Sequence, residues 1–175
     1  MPDAPRPFLP SGRFSLGANY WASHAGTSMW ADWREDVVAR DLDQLGKAGL
    51  DVLRVFPLWP NFQPIHRLYG GNATLVGFAL ADGSPLANRD GLDDVMVDRF
   101  RALCRLAGER GIGLIVGLVT GWMSGRLFVP PGLAGLDPTT DAVSLRWQVR
   151  LCRGLVERLR GEAAIVAWDL GNECN

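Results

Sequence analysis

Apolar residues fall into two alternating patterns along this chain. Four segments carry them as runs or strict alternation, and three segments between them carry them at helical spacing. Phe14-Ser15-Leu16-Gly17-Ala18-Asn19-Tyr20-Trp21 alternates and ends in polar and aromatic residues, which predicts a first strand. Asp51-Val52-Leu53-Arg54-Val55-Phe56-Pro57 predicts a second, apolar except for Arg54. Ile112-Gly113-Leu114-Ile115-Val116-Gly117-Leu118-Val119 is continuously apolar, as a strand covered on both faces must be. The fourth begins Ile165-Val166-Ala167-Trp168 and ends in small and polar residues, Gly171-Asn172-Glu173-Cys174-Asn175. Between the strands, Trp33, Val37, Val38, Leu42, Leu45 and Ala48 share one helical face. Asp32 and Glu35 offer a capping-box start, and Gly49 a left-handed stop. Met96, Phe100, Leu103 and Ala107 predict a second helix ending at Gly111. Leu145, Val149, Cys152, Val156 and Leu159 predict the buried face of a third, capped by Thr140 or Asp141 and closed by Gly161.

Seven elements therefore alternate between strand and helix, which implies a parallel sheet with right-handed crossovers. Both a doubly wound sheet and a (β/α)8 barrel satisfy that order. The connections separate them. Long segments rich in Gly, Pro and Asn follow the second strand (58 to about 92) and the third (120–139), whereas the turns that follow helices are short. One elaborated face at the strands' C-terminal ends and one tidy face is the barrel pattern. No Gly-rich phosphate loop follows the first strand, which lowers the nucleotide-binding alternative. The expected fold class is α/β, of the (β/α)8 TIM-barrel type, with strands 1–4 and helices 1–3 present. Residues 1–12 read as an N-terminal arm and 13–175 as the half-barrel.

Composition narrows the partners. The 175 residues are 47% hydrophobic, enough for one sizeable core, and carry 18 basic and 19 acidic side chains with no long basic run. Nucleic acid is a poor partner for such a surface. No 18-residue apolar stretch predicts a membrane span, and the Pro-rich start Met1-Pro2-Asp3-Ala4-Pro5-Arg6-Pro7 has no signal-peptide pattern. Cys104, Cys152 and Cys174 form neither a disulfide framework nor a metal pattern. The expectation is a cytoplasmic protein.

Two residues point to chemistry. Arg54 in the middle of a buried strand is costly unless a carboxylate or a ligand pairs with it. Glu173, after Asn172, ends the last apolar strand, the place where a parallel α/β protein sets an acid in a cleft. With seven Trp in the chain, Tyr20, Trp21, Trp59, Trp122 and Trp168 are candidates for flat apolar contact with a ligand, and equally for core packing. His24 and His66 are isolated on loops, with no neighbouring carboxylate at metal-ligand spacing.

The Arg54 strand, the Trp168-Asp169-Leu170-Gly171-Asn172-Glu173 strand and the Asn19-Tyr20-Trp21 segment together resemble the N-terminal half of glycoside hydrolase family 5 and its relatives in clan A. These are cellulase-like, retaining β-glycosidases built on (β/α)8 barrels. The resemblance implies that Glu173 is the acid/base, protonating a glycosidic oxygen that otherwise leaves poorly. It implies that Asn172 bonds the sugar 2-hydroxyl and that Arg54 holds the nucleophile carboxylate. That nucleophile belongs to a seventh strand, which this chain does not contain. Asp169 does not replace it, being about 13 Å from Glu173 along the strand at roughly 3.3 Å per residue. The third strand also departs from the family, ending Val119-Thr120-Gly121-Trp122 where many members carry a His or an Asn-rich ending.

The implied activity is hydrolysis of a β-mannoside, β-glucan or related β-glycoside by double displacement, without cofactor or metal. The expected partners are an oligo- or polysaccharide and the C-terminal half of the barrel, with no nucleic acid and no membrane. Two alternatives remain open. One is a non-catalytic carbohydrate-binding fragment or a split half-barrel needing a partner chain. The other is a metal-dependent barrel enzyme using Glu173 with His24 or His66. A half-barrel also leaves strand edges and an inner face uncovered. The segment alone is therefore expected to be unstable, to dimerise, or to be cut from a longer chain.

Overall fold

The computed structural model describes residues 14–80, 86 and 90–172. The N-terminal arm, Glu173 and Cys174 lie outside the described residues. The sheet comprises β1 (Gly17–Asn19), β2 (Val52–Val55), β5 (Gly113–Thr120) and β8 (Ile165–Asn172). Their order is β1-β2-β5-β8, with every pairing parallel. The crossovers run through α1 (Glu35–Lys47), α3 (Asp94–Glu109) and α4 (Ala142–Leu159). This is the predicted strand–helix alternation, laid out as the first four strands of a barrel.

Side chains alternate along each strand, and the alternation separates two environments. Leu53, Val55, Leu114 and Val116 are buried on the helix side. There they meet Val38 and Leu42 of α1, Phe100, Leu103 and Ala107 of α3, and Leu151, Leu155 and Leu159 of α4. On the other face, register brings Asn19 beside Arg54, Arg54 beside Ile115, and Gly117 beside Asp169. A cavity of about 350 Å³ opens on that face, lined by Gly17, Ala18, Asn19, Val52, Arg54 and Ile115. The core therefore lies between sheet and helices, and the polar residues of the strands share the opposite side.

The helix boundaries follow local chemistry. Gly49 and Gly111 stand just past the C-caps of α1 and α3, at φ +86° and +68°, where a glycine costs no Cβ clash. Asp141 caps α4, accepting from the amides of Val143 and Ser144 at 2.8 and 3.1 Å. Asp93 caps α3 in the same way, accepting from Met96 N. Two expectations need correction. Asp32 does not cap α1: the helix starts at Glu35 behind Arg34, and the Asp32 carboxylate lies 3.3 Å from Arg34 Nε. The buried face of α4 is also only partly as expected: Leu159 is buried and Cys152 and Val156 pack against the core, but the face is centred on other residues. Trp147, Leu151 and Leu155 are buried, whereas Leu145 and Val149 are 40% and 58% exposed. The helix carries two apolar stripes, and the edge contact of Phe78 with the Trp147 ring marks the stripe that faces the fold.

The two long connections are themselves structured. After β2 come a short helix, α2 (Trp59–Phe62), and a hairpin of β3 (His66–Tyr69) and β4 (Leu75–Ala79). After β5 comes a second hairpin, β6 (Trp122–Met123) and β7 (Arg126–Leu127). Its turn residues Ser124 and Gly125 both have positive φ, 55° and 72°, the backbone a tight two-residue hairpin requires. Among the described residues no helix is long and apolar enough to cross a membrane.

Candidate active site

Arg54 is the hub of the polar face. Its Nε donates to Asp169 Oδ2 at 2.7 Å, and its Nη2 donates to the same oxygen. Nη1 donates to Asn172 Oδ1 at 2.9 Å, and Nη2 reaches Gly171 O at 3.2 Å. One side chain from β2 therefore grips the end of β8, two strands away across β5. The guanidinium also lies over the Phe56 ring, 4.7 Å from its centroid. Trp21 stacks on Phe56 at 5.3 Å. Gly117 makes room for this arrangement, since a Cβ there would stand 2.9 Å from Phe56 Cδ1.

Asn172 is fixed from both ends of its amide. Its Oδ1 accepts from Arg54, and its Nδ2 donates to Trp122 O at 2.8 Å. The Arg54 contact determines which amide atom is the oxygen, because a guanidinium has no acceptor. The hairpin of β6 and β7 sits directly beside this strand end. Gly121 N donates to Asn172 O at 3.2 Å, and the Trp122 side chain is 45% exposed. Arg54, Asn172, Trp122 and Trp21 are thereby gathered at the C-terminal ends of the parallel strands.

Three aromatic candidates are placed elsewhere. Trp59 is fully buried, with its indole N–H donating to Gln63 Oε1 at 2.7 Å, so it packs the core beneath α3 instead of offering a face to ligand. Tyr20 is 4% exposed, and its hydroxyl donates to Asp41 Oδ2 at 3.1 Å. Asp41 also accepts from Ser23 N and Oγ, so this cluster ties the segment after β1 to α1. Burial, then the neighbouring Asp41 charge, pushes the Tyr20 phenol well above its ordinary range. Trp168 lies in register with Val116, on the helix side, and packs partly buried against the core. Strand alternation decides this: Asp169, one residue on, takes the Arg54 side.

His24, His66, Cys104 and Cys152 stay outside this group. His24 Nε2 donates to Asp32 O at 2.8 Å, and His66 lies on β3. Among the described residues no set of three or more His, Cys, Asp or Glu could hold a metal ion. Cys104 is buried on α3, and that burial, with the Glu162 charge, pushes its thiol up to about 12.

Asp169, Phe56 and Gly117 complete the site, and reading the sequence for motifs passes over their roles. The signal for Asp169 is the cost of a buried Arg54, which demands a carboxylate, combined with period two along β8.

Solved structures similar to this one have the same arrangement of strands and helices. The exo-β-1,4-mannosidase Op5Man5 of Opitutaceae bacterium strain TAV5 is 29% identical, with a TM-score of 0.74, over 92% of this chain and 25% of its own. A variant of GH5_18 from Streptomyces cattleya, solved in complex with Manβ1-4GlcNAc, is 28% identical, with a TM-score of 0.73, over 91% of this chain and 34% of its own. GH5_18 from Bifidobacterium longum subsp. longum is 27% identical, over 92% of this chain and 34% of its own, with a TM-score of 0.73. No family model and no curated protein matches the sequence. The fold is therefore that of the cellulase-like TIM barrel of glycoside hydrolase family 5, over its first four strands. The chain spans a quarter to a third of the length of these proteins.

Proposed function

We propose that this chain supplies the acid/base half of a retaining β-glycosidase acting on β-mannosides. Glu173 follows directly on Asn172, whose amide is locked by Arg54 and Trp122 at the mouth of the strand face. That locked Asn172 is the observation that carries the reading. Glu173 donates its proton to the glycosidic oxygen as the bond to the anomeric carbon breaks. It then takes a proton from water in the second step. The nucleophile carboxylate comes from a later strand of the intact barrel, roughly 5 Å from Glu173 as retention requires. Asn172, at the mouth of the strand face, bonds the sugar 2-hydroxyl, a bond that strengthens as positive charge develops at the anomeric carbon. Arg54 holds the incoming carboxylate ionised through its charge.

The choice of β-mannoside rests on similarity to an exo-β-1,4-mannosidase and to a protein solved with Manβ1-4GlcNAc. The half-exposed Trp21 and the exposed Trp122 are the candidates for stacking on the sugar's C–H face. The test is a panel of aryl β-glycosides (mannoside, glucoside, galactoside, xyloside) offered to the full-length protein with and without chelator. Preferred cleavage of the β-mannoside, unchanged by chelation, is the expected outcome. Sugar binding without turnover would replace the reading by a binding module, and loss of activity on chelation by a metal-dependent enzyme.

A further inference from the structure

The polar face holds a carboxylate that the proposed chemistry does not use. Asp169 lies inside β8, three residues before its last described residue, Asn172, and not at the strand's tip. Nevertheless it takes two of the Arg54 donors through a single oxygen, and its Oδ1 accepts from Gly171 N at 3.3 Å. It stands three residues before Asn172 on the same strand, and both residues bond the same guanidinium.

We infer that Asp169 is a positioning residue: it fixes the rotation of the Arg54 guanidinium so that Nη1 meets Asn172 and the remaining Nη1 hydrogen faces the cleft. This inference rests on the glycosidase reading of the site and deepens it. The geometry is specific. An arginine free to turn about its last torsions presents any of its edges, and a fork pinned through Nε and Nη2 presents one. With Asp169 in place, the Nη1 edge is directed at Asn172 Oδ1 and Nη2 also reaches Gly171 O. The Phe56 ring lies beneath the guanidinium, 4.7 Å from Cζ to its centroid, and adds a cation–π contact. The orientation of Asn172 is thus set from β2 instead of by the end of β8 alone.

Asp169 has a second consequence, which is electrostatic. Its charge offsets part of the Arg54 charge that the cleft carboxylates feel. Removing it leaves Arg54 more strongly positive toward the cleft. A nearby positive charge favours the ionised form of a carboxyl group, so the pKa of the nucleophile and that of Glu173 both fall. In a retaining glycosidase the acid limb of the pH–rate profile reports the nucleophile and the basic limb the general acid. Both limbs therefore move toward lower pH.

Two substitutions in the full-length protein separate these roles, with hydrolysis of an aryl β-mannoside as the readout. Asp169→Asn removes the charge and keeps the shape. It is expected to lower kcat about 10- to 100-fold with KM little changed, and to shift both limbs down by about half a pH unit or more. Asp169→Glu keeps the charge and displaces the carboxylate. It is expected to lower kcat while leaving both limbs where they are. Thermal unfolding of each variant gives the folded fraction to which the rates are referred. If Asp169→Asn keeps the wild-type kcat per folded molecule and unshifted limbs, the assignment is overturned. It is equally overturned if both variants lose rate only in proportion to folded protein. Glu173→Ala run alongside keeps the two ideas apart: retained activity there refutes the glycosidase reading itself, whatever the Asp169 variants do.

Discussion

Glu173→Ala in the full-length protein is expected to lose about 10²- to 10⁴-fold in the rate of cleaving β-mannosides with poor leaving groups. The loss in kcat/KM, which reports the first step, should be far smaller for an aryl group acidic enough to leave unprotonated. The reasoning starts from the bond that breaks. An alkoxide or a weakly acidic phenoxide leaves an anomeric carbon only if a proton arrives as the bond stretches, and Glu173 is the proposed donor. A dinitrophenolate needs no such help. With that substrate the first step survives, and the second step, in which Glu173 would activate water, becomes slow. Azide needs no general base and should restore turnover by attacking the anomeric carbon and displacing the enzyme's carboxylate, giving a β-mannosyl azide. Steady-state kinetics across a series of leaving groups, with and without azide, checks this. A uniform loss independent of the leaving group, without rescue, would assign Glu173 a structural role.

Arg54→Met is expected to be nearly as damaging and to affect stability as well. The substitution keeps most of the aliphatic stem but removes every bond that joins β2 to the end of β8: those to Asp169, Asn172 and Gly171 O. Asp169 is left as a carboxylate, 32% exposed, without its partner. Removing one member of a fully buried ion pair costs about 3–5 kcal/mol. Solvent reaches both Arg54 and Asp169 here, so a loss of about 1–3 kcal/mol is expected. The catalytic loss should be larger, about 10²- to 10³-fold in kcat, because Asn172 loses its orientation and the incoming carboxylate loses its cation. Denaturant unfolding and steady-state kinetics on the same preparation separate the two effects. Full activity in a destabilised Arg54→Met protein would remove Arg54 from the machinery and leave it as a strut.

How much of this was legible in the sequence varies by element, for physical reasons. The four parallel strands could be read from their apolar runs, and Gly49 and Gly111 marked helix ends because left-handed backbone selects glycine. The inward stripe of α4 could not be read, because Leu145, Val149 and Cys152 form a second apolar line as plausible as that of Trp147, Leu151 and Leu155. The tertiary packing favours one over the other, with Leu151 and Leu155 in the core between sheet and helices and Trp147 against Phe78. That hairpin was itself signalled by Gly70-Gly71-Asn72 between two β-rich runs, a cue that a long Gly- and Pro-rich connection obscures.

At the site, Arg54 announced itself by its cost, but its partner Asp169 was missed, although the cost of Arg54 together with period two along β8 pointed to it. The aromatics were harder, because an indole or a phenol looks the same in sequence whether it faces a cleft or a core. Trp59 found a buried acceptor in Gln63 and Tyr20 one in Asp41, and both went inside. Trp168 went to the helix side because β8 must turn Asp169 toward Arg54. Trp122 lies in a hairpin, outside any two-sided core, and remains exposed.

The central claim is that this strand end serves a retaining β-mannosidase. The most direct measurement is the anomeric form of the first product when the full-length protein cleaves a β-mannoside, followed by proton NMR before mutarotation. The account predicts β-mannose first, with the α anomer rising only as the sugar equilibrates. If α-mannose appears first, the displacement is single, and the arrangement of a proton donor at Glu173 with a nucleophile held by Arg54 is contradicted.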